Sequence, residues 1–459
     1  YQVSGAFGYR DQLQDAMNIV MVEPEFTREQ IIINAAHQFE EGDALHWWHE
    51  KNHFGLRSRF KDDYLWLVYA TTNYIDTTGD YQILKEEIPY VIGEKLSDYE
   101  NEKGIVFNYS EKKETLLEHC LKSIELSMNS LGSHKIPLMG GGDWNDGMNR
   151  VGIKGKGESV WLGFFLYHVI DTYMKTIKKA DKNFDTEKYL KFNEKLKESL
   201  NKKTWDGDYY LRAFFDNGDL LGSHENSECK IDLISQSFSI ISGVAPKDRI
   251  QKSITSVEEQ LVDNKNKIIK LLTPPFYKSL NNPGYIMNYP RGIRENGGQY
   301  THSVSWYLMA LIKSGYYDRA YRYYQMINPV NRSLKQMNVE KYKVEPYVIA
   351  ADIYSSENYP GRGGWTWYTG SAGWFYKVAI QDILGIQKKG NKLKITPKIP
   401  IAWDGYRAIY HYLDTTYNIE VIKDKKEQVE LDGKKIISST IHLENDKKTH
   451  TITIYTNIN

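Results

Sequence analysis

Cysteine is nearly absent from this chain, since its 459 residues include only Cys120 and Cys229. Two cysteines cannot supply a disulfide framework or a zinc cluster, although one bridge between them stays possible. Such sparse use of cysteine fits a reducing compartment. The length predicts two or three domains, or one large barrel with an appendage.

Net charge and long apolar runs are also missing. Lys plus Arg and Asp plus Glu both number 59, so the formal net charge is zero. Nothing therefore favours nucleic acid or an anionic membrane surface as a partner. No run of 18 apolar residues predicts a membrane span, and no leader resembles a signal peptide. Because the chain opens at Tyr1 and not at a methionine, we expect a piece of a longer protein.

Aromatic residues, in contrast, are abundant. They make up 13% of the chain and include 35 tyrosines and 11 tryptophans. Many belong to a core, but flat aromatic faces also suit stacking against sugar rings. Together with the neutral net charge, this composition favours an uncharged partner.

The periodicity of apolar residues divides the chain into two parts. Helical spacing dominates from about residue 11 to residue 385, and the segment 63–74 is apolar nearly all round, as expected of an inner helix covered by others. After residue 385, short runs alternate with period two and predict a β domain over 386–459. We therefore predict a mainly α fold of paired helices in a toroid, followed by a small β domain. The predicted helices are 28–40, 63–77, 113–130, 157–177, 186–200, 231–242, 247–263, 301–314, 317–326 and 371–383.

The segment GGGDWNDGMNRVG, residues 140–152, carries the most informative chemistry. Glycine lets the backbone approach a ligand closely, Trp144 offers a flat face for a pyranose ring, and Asp143 or Asp146 could donate a proton. These residue types indicate a carbohydrate site. The alternative is an Asx-rich turn between two helices, because turns favour the same residues.

Residues 5–17 and 41–66 are rich in polar and aromatic side chains. Arg10 and Asp11 could bind several hydroxyls of one sugar, or form an ordinary ion pair at a helix start. The second segment holds His46, His49 and His53, but a metal site is rejected because no supporting cysteine or carboxylate triad stands at ligand spacing. Its side chains suit a sugar cleft, and Asp62 and Asp63 are expected to cap the following helix.

Residues 294–306 and 359–374 are two further junctions between helical patterns. Thr369, Gly370 and Ser371 directly precede an apolar helical run, so they predict an anion site at a helix N-terminus. His302 or Arg362 could add positive charge there. No Walker motif occurs, so the glycines alone are weak evidence for phosphate.

Taken together, these motifs resemble glycoside hydrolase family 94, the inverting β-glucoside phosphorylases. The resemblance covers essentially the whole chain. It rests on DWND at 143–146, Arg10–Asp11, ENGGQYTHSVSW at 295–306 and WTWYTGSAGW at 365–374. YQVSGAFGYRDQLQD at 1–15 and GDALHWWHE at 42–50 are most similar to the phosphorylase module at the C-terminus of cyclic β-1,2-glucan synthases.

The resemblance implies an (α/α)6 barrel over 1–385 and a jelly-roll-like β domain over 386–459, with the family's N-terminal β-sandwich absent. It also implies a role for each matching residue. Asp146 would be the general acid; Arg10, Asp11 and Trp144 would hold the reacting glucose with Asp143 in support, Glu295 would bind hydroxyls on the acceptor side, and His302, Thr369 and Gly370 would hold phosphate.

The implied reaction is reversible phosphorolysis of β-linked, in particular β-1,2-linked, gluco-oligosaccharides to α-glucose 1-phosphate. An inverting hydrolase needs a second carboxylate to activate water, whereas phosphate is already anionic and one acid suffices. Burial beside Trp144 and repulsion from Asp143 would help Asp146 keep its proton. No metal or organic cofactor is implied, and inorganic phosphate is a substrate.

Two other functions stay open. An inverting β-glucan hydrolase would need a base across the cleft from Asp146, for which Glu295 is the candidate. A non-catalytic module of a glucan synthase would bind glucan, or measure its length, without turning it over. The resemblance implies further modules of a larger membrane-associated synthase as partners and a location on the cytoplasmic side of the membrane, and a homodimer is possible.

Overall fold

The computed structural model describes residues 4–97, 100–367 and 370–457. A π-helix, Val378–Ile383, continues the last α-helix, and short 3-10 helices cover Glu50–Asn52, Tyr81–Lys85, Asp146–Met148 and Tyr285–Asn288. In the described residues the α-helices are α1 (Tyr9–Asn18), α2 (Pro24–Ala36), α3 (Asp63–Thr78), α4 (Leu116–Met128), α5 (Val160–Ala180), α6 (Glu187–Lys203), α7 (Leu233–Ile241), α8 (Lys247–Gln260), α9 (Thr301–Lys313), α10 (Tyr317–Ile327), α11 (Gln336–Tyr342) and α12 (Ser371–Lys377).

Six of these helices form a closed ring. Each ring helix contacts the next in the order α1, α3, α5, α7, α9 and α12, and α12 contacts α1 again. The intervening helices α2, α4, α6, α8 and α10 each pack on the ring helix that precedes them. The closure between α12 and α1 includes a buried hydrogen bond of 3.1 Å from the Trp374 indole N–H to Gln14 Oε1. The sequence therefore brings its first and last ring helices together.

The interior of the ring is filled by tryptophans. Trp306 of α9 lies 6.2 Å from Trp66 of α3, 6.1 Å from Trp161 of α5 and 5.8 Å from Trp374 of α12, measured between ring centroids. All four indoles are fully buried. Because four different ring helices contribute to one cluster, burial of large apolar surface fixes how these helices face one another. The apolar character of α3 on nearly all sides follows from this position.

Strands occur between the ring helices in sequence and also follow the last of them. The strands before residue 385 are β1 (Phe7–Gly8), β2 (Leu45–His49), β3 (Phe54–Ser58), β4 (Glu87–Ile92), β5 (Glu102–Val106), β6 (Asn108–Thr115), β7 (Glu158–Ser159), β8 (Ala213–Phe214), β9 (Leu220–Leu221), β10 (Ile231–Asp232), β11 (Val262–Asp263), β12 (Ile268–Ile269), β13 (Leu272–Thr273), β14 (Gln299–Tyr300) and β15 (Asp352–Ile353). The largest sheet here has the order β1-β2-β3-β5 and was not predicted from the sequence.

The predicted change from helix to strand near residue 385 is confirmed. The later strands are β16 (Ile386–Lys389), β17 (Lys392–Ile395), β18 (Gly405–Tyr412), β19 (Thr415–Lys423), β20 (Gln428–Leu431), β21 (Lys434–Ile436), β22 (Thr440–His442) and β23 (Thr449–Thr456). They form a three-stranded sheet, β16-β17-β22, and a five-stranded sheet, β18-β19-β23-β20-β21. Apolar residues of both sheets, among them Leu393, Ile419 and Ile452, share one core.

Two further expectations concern the whole chain. Cys120 and Cys229 are both buried and unbridged, so the possible disulfide is not formed. Within the described ranges, none of the helices combines the length and apolar character that crossing a bilayer requires.

Candidate active site

A cleft of about 490 Å³ opens at the end of the ring where the ring helices begin. The residues that line it come from α1, from the loop before α5, from the segment 285–300 before α9, from α9 itself and from the segment before α12. Segments that are far apart in the sequence therefore meet in one cleft. The lining residues are Arg10, Asp11, Gln12, Asp15, Trp144, Asp146, Tyr285, Tyr289, Arg294, Glu295, Tyr300, His302, Trp367 and Gly370.

Asp143, the first residue of the DWND loop, fixes this loop to the protein interior. Its carboxylate accepts hydrogen bonds of 2.6 and 2.7 Å from the two terminal nitrogens of Arg212, and one of 2.6 Å from Ser159 Oγ. Asp143 and Arg212 are both fully buried, and Asp143 does not line the cleft. Arg212 therefore supplies the counter-charge that the buried Asp143 requires.

The same loop is also an Asx turn. Asp143 Oδ1 accepts a hydrogen bond from the backbone N–H of Asn145, and Asn145 Oδ1 accepts one from that of Gly147. Gly142 has a φ of +150° and lies against Phe60, where a Cβ atom would come within 2.4 Å of the ring. The Asx turn that the sequence offered as an alternative is therefore present, and it places Trp144 and Asp146 in the wall of the cleft.

Asp146 is the carboxylate that this loop presents to the cleft. Its side chain is 31% exposed, and its Oδ1 accepts a hydrogen bond of 2.5 Å from Arg10 Nη2. Its Oδ2 lies 4.0 Å from Nε2 of His46. Asp146 therefore has a cation on each side and an open face toward the cleft.

Two buried aspartates fix those cations. Asp62 accepts hydrogen bonds from Arg10 Nη1 at 3.3 Å and from the Trp66 indole at 3.1 Å. Asp63 accepts one of 2.8 Å from His46 Nδ1. Burial lowers the pKa of His46, but the charges of Asp63 and Asp146 outweigh this effect and raise the pKa to about 9.

The expectation that Asp62 and Asp63 cap α3 is thus wrong. The helix does begin at Asp63, but the N-cap residue Asp62 makes no side-chain capping bond. A buried arginine and a buried histidine next to the two carboxylates offer stronger, charge-assisted partners than a helix N–H does. The side chains of Asp62 and Asp63 therefore hold Arg10 and His46 in place and do not cap the N-terminus of α3.

Trp144 forms one wall of the cleft. It is 7% exposed, and its ring packs at centroid distances of 5.2 Å from His302 and 5.6 Å from Tyr300. It also contacts Trp306, 4.9 Å away, and so continues the tryptophan cluster of the ring interior to the cleft surface. Packing on three sides leaves this indole one orientation.

His302 and Gly370 lie together on another side of the cleft. A Cβ built on Gly370 would lie 3.4 Å from His302 Cε1 and 3.2 Å from Asp15 Oδ1. Burial lowers the pKa of His302 to about 3, so its imidazole is neutral and does not supply the positive charge that the sequence suggested. Its Nε2 is buried and has no hydrogen-bond partner among the described residues.

Other residues of the predicted anion site are placed differently. Thr369 lies outside the described residues. Arg362 does not line the cleft, and its guanidinium lies over the Tyr359 ring, 5.6 Å from the centroid. Asp15, which the sequence analysis did not select, faces this side instead. It follows Asp11 by one helical turn of α1, so its i, i+4 spacing was the signal that could have identified it.

Glu295 and several aromatic residues also line the cleft. Glu295 is paired with Arg294, with 3.3 Å between Oε2 and Nε, and burial raises the pKa of the Glu295 carboxyl while Arg294 acts to lower it. Asp11 is likewise a cleft residue whose pKa is raised by burial and opposed by the charge of Arg10. The aromatic lining residues here, Tyr285, Tyr289 and Trp367, were not predicted.

Comparison with known proteins agrees with this arrangement. Residues 1–385 match the family model described as the glycosyl hydrolase 94 superfamily, catalytic domain. The cyclic beta-(1,2)-glucan synthase NdvB of Rhizobium meliloti (strain 1021) is 43% identical over 426 residues, which are 93% of this chain and 15% of that protein. The solabiose phosphorylase of Paenibacillus borealis is 29% identical over 456 residues, 97% of this chain and 56% of that enzyme.

A solved structure has a related fold. The GH78 family rhamnosidase of Bacillus sp. GL1 aligns with a TM-score of 0.56 at 12% identity, over 98% of this chain and 40% of that one. At this identity the likeness concerns the fold alone. The chain spans little more than half of the solabiose phosphorylase and a much smaller share of NdvB. Because the family model covers the helical ring and every residue that lines the cleft, this chain belongs to the glycosyl hydrolase 94 superfamily.

Proposed function

We propose that this chain catalyses inverting phosphorolysis of β-linked gluco-oligosaccharides, releasing α-glucose 1-phosphate. The observation that carries the proposal is the cleft itself, in which the Asp146 carboxyl and the His302–Gly370 side share one space with Trp144 as a wall. An acid and an anion site in one cleft are what a phosphorylase requires. The name of the phosphorylase among the relatives supports the same chemistry, and the name of the glucan synthase supports a glucan as the substrate.

In this reaction Asp146 protonates the glycosidic oxygen as the bond to the anomeric carbon breaks. Phosphate attacks that carbon from the opposite face, so the configuration is inverted. Arg10, which contacts Asp146 in the structure, would hold the reacting glucose together with Asp11. In the reverse direction, Asp146 accepts the proton of the acceptor hydroxyl as that oxygen bonds to the anomeric carbon of α-glucose 1-phosphate. Phosphate is the leaving group.

Phosphate would be held by His302, Gly370 and Thr369. The unpartnered Nε2 of His302 supports this assignment, because a buried ring nitrogen is stabilised when a ligand supplies its hydrogen-bond partner. A neutral imidazole donates one hydrogen bond without attracting the carboxylates of the cleft. The backbone N–H groups at the start of α12 provide further donors next to Gly370.

Several finer features belong to the same proposal. We propose β-1,2 linkage, in keeping with the name of the relative that is 43% identical, and a ring that forms an (α/α)6 barrel. We further propose residues 1–385 as the catalytic domain and 386–459 as a separate β domain, since the family match ends where β16 begins. Membership of a larger membrane-associated synthase, on its cytoplasmic side, rests on the same relative.

The test measures phosphate release from α-glucose 1-phosphate with sophorose or a short β-1,2-glucan as acceptor, beside cellobiose and laminaribiose. We expect release with the β-1,2 acceptors and loss of at least about 1000-fold in Asp146→Asn, because the acid is removed while the shape is kept. Asp414→Asn, an exposed aspartate between β18 and β19, is the matched control.

Three other outcomes contradict the proposal in different ways. Glucose release from the glucan without phosphate would establish the hydrolase and make Glu295 the candidate base. Glucan binding without turnover would establish a non-catalytic module. Release with cellobiose or laminaribiose alone would keep the phosphorylase and overturn the linkage.

A further inference from the structure

An unusual amount of aromatic surface lies exposed beside the mouth of the cleft. Trp367 is 76% exposed, Trp365 is 48% exposed and Tyr285 is 39% exposed. Tyr285 and Trp367 line the cleft itself. We call these three residues the aromatic rim. Indoles left in water forgo the burial that stabilises such residues elsewhere, so their clustering at a cleft indicates a ligand surface.

The rim is continuous with the acceptor side of the cleft. Tyr285 and Tyr289 lie 6.0 Å apart between ring centroids, and the guanidinium carbon of Arg294 is 4.9 Å from the Tyr289 centroid. The same guanidinium carbon lies 4.3 Å from the centroid of the Trp365 ring. Aromatic rings and the Arg294 guanidinium therefore form a series that extends from Glu295 to the exposed aromatic rim. It offers more stacking surface than a single sugar ring covers.

Trp367 is held in place despite its exposure. Its backbone has a φ of +61°, a region that bulky residues rarely adopt, and its indole N–H donates to Glu345 Oε1 at 3.3 Å. Strain of this kind is found where surrounding structure fixes a residue for a purpose such as clamping a ligand. A held indole loses little side-chain entropy when a sugar ring stacks on it.

We propose that the aromatic rim is a binding site for glucosyl residues beyond the two that flank the broken bond, so that the cleft selects a glucan chain over a disaccharide. This inference rests on the proposed phosphorolysis and names its substrate more closely. The occupant is an uncharged gluco-oligosaccharide, because aromatic faces beside Arg294 and Glu345 combine stacking with hydrogen bonding to hydroxyls.

The experiment compares β-1,2-linked glucose disaccharide and pentasaccharide as phosphorolysis substrates. In the wild type we expect kcat/KM for the pentasaccharide to exceed that for the disaccharide by about 10-fold or more, the range of one or two stacked rings. Trp367→Ala lowers this ratio by about 10-fold, whereas Trp367→Phe keeps most of it. Phe26→Ala removes an aromatic residue that is 50% exposed on α2 and does not line the cleft, and leaves the ratio unchanged.

A second measurement separates this inference from the proposed function. Calorimetric titration of the pentasaccharide and disaccharide into Asp146→Asn, with and without Trp367→Ala, reports binding without turnover. Weaker binding of the pentasaccharide alone in the double variant supports the rim even in a chain that shows no phosphorolysis. Phosphorolysis with equal ratios in the wild type and Trp367→Ala overturns the rim and leaves the function intact.

Discussion

Arg212 donates hydrogen bonds of 2.6 and 2.7 Å to the two carboxylate oxygens of Asp143 in the protein interior. Neither residue is exposed, and Ser159, which also caps α5, donates to the same carboxylate. The pair joins the DWND loop to the segment around β8, some 70 residues later in the chain. The DWND loop, which carries Asp146, is thus anchored by the charge of Arg212, a residue that does not line the cleft.

The first prediction concerns this pair. Arg212→Met leaves the Asp143 carboxylate buried without its counter-charge, which destabilises the fold by about 3–5 kcal/mol. Urea unfolding followed by near-ultraviolet circular dichroism measures the loss. Arg407→Met is the control, since Arg407 is 85% exposed in its ion pair with Glu420 and the substitution costs less than about 1 kcal/mol. Equal stability of the Arg212 variant and the wild type would contradict the anchoring role.

The second prediction concerns the geometry of Arg10. Its guanidinium contacts Asp62, the Asp143 carbonyl and Asp146 at once, and a lysine ammonium cannot span them. Arg10→Lys keeps the charge, yet we expect kcat/KM for phosphorolysis to fall about 100-fold, because small misplacements of a positioned group have effects of that size. Arg407→Lys is the control. Retained kcat/KM would mean that charge alone matters.

The third prediction concerns anion binding and pH. Burial, with a contribution from Asp11, raises the pKa of Asp15 to about 7, and Asp15 faces Gly370 on the side assigned to phosphate. Above pH 7 the ionised Asp15 repels an anion there. His302 does not interfere, since its pKa is about 3 and its charge is constant. The affinity for anions should therefore fall as the pH rises through 7.

Sulfate is a suitable probe, because its own charge does not change in this range. Its inhibition constant against phosphate should rise about 10-fold between pH 6 and pH 8 in the wild type, which corresponds to one repulsive charge at close range. In Asp15→Asn the constant should stay flat. The same rise in both proteins would assign the effect to another group.

The fourth prediction follows from the ion pair of His46 with Asp63. The folded pKa of about 9 lies above the ordinary value of 6.5, so protonated His46 stabilises the fold by on the order of 3 kcal/mol. This stability is complete below pH 6.5 and is lost as the pH rises through 9. The difference in unfolding free energy between the wild type and His46→Asn should therefore shrink from pH 6 to pH 10. A difference that is constant with pH would show that only the stacking of His46 on Phe60 matters.

The sequence predicted the helices well where apolar periodicity is strong. The prediction 63–77 corresponds to α3, and 301–314 to α9, since both are buried in the ring. Helix α1 was not predicted, because Arg10, Gln14 and Asn18 are polar yet buried among partners from other elements. Periodicity cannot detect a helix whose inner face is polar and satisfied through distant contacts.

The candidate site was predictable only in part. The motifs indicated which side chains meet. Of the nine residues selected from them, seven line the cleft, Asp143 is buried outside its wall, and Thr369 lies outside the described residues. Arg212 carries no local signal, because its role depends on a contact 69 positions away. The charge of His302 depends on burial, which the sequence does not specify. The role of Arg212 and the charge of His302 are both set by tertiary contacts.

The contact between α1 and α12 also has a consequence for biosynthesis. Arg10 lies on the first ring helix and Gly370 directly precedes the last, so a ribosome must release nearly the entire helical part before the catalytic cleft can close. Until then, the nascent chain holds an open stack of helices whose tryptophans are only partly covered. Truncations that remove α1 or α12 should therefore leave a chain with an open ring and an aggregation-prone seam, even where most helices remain.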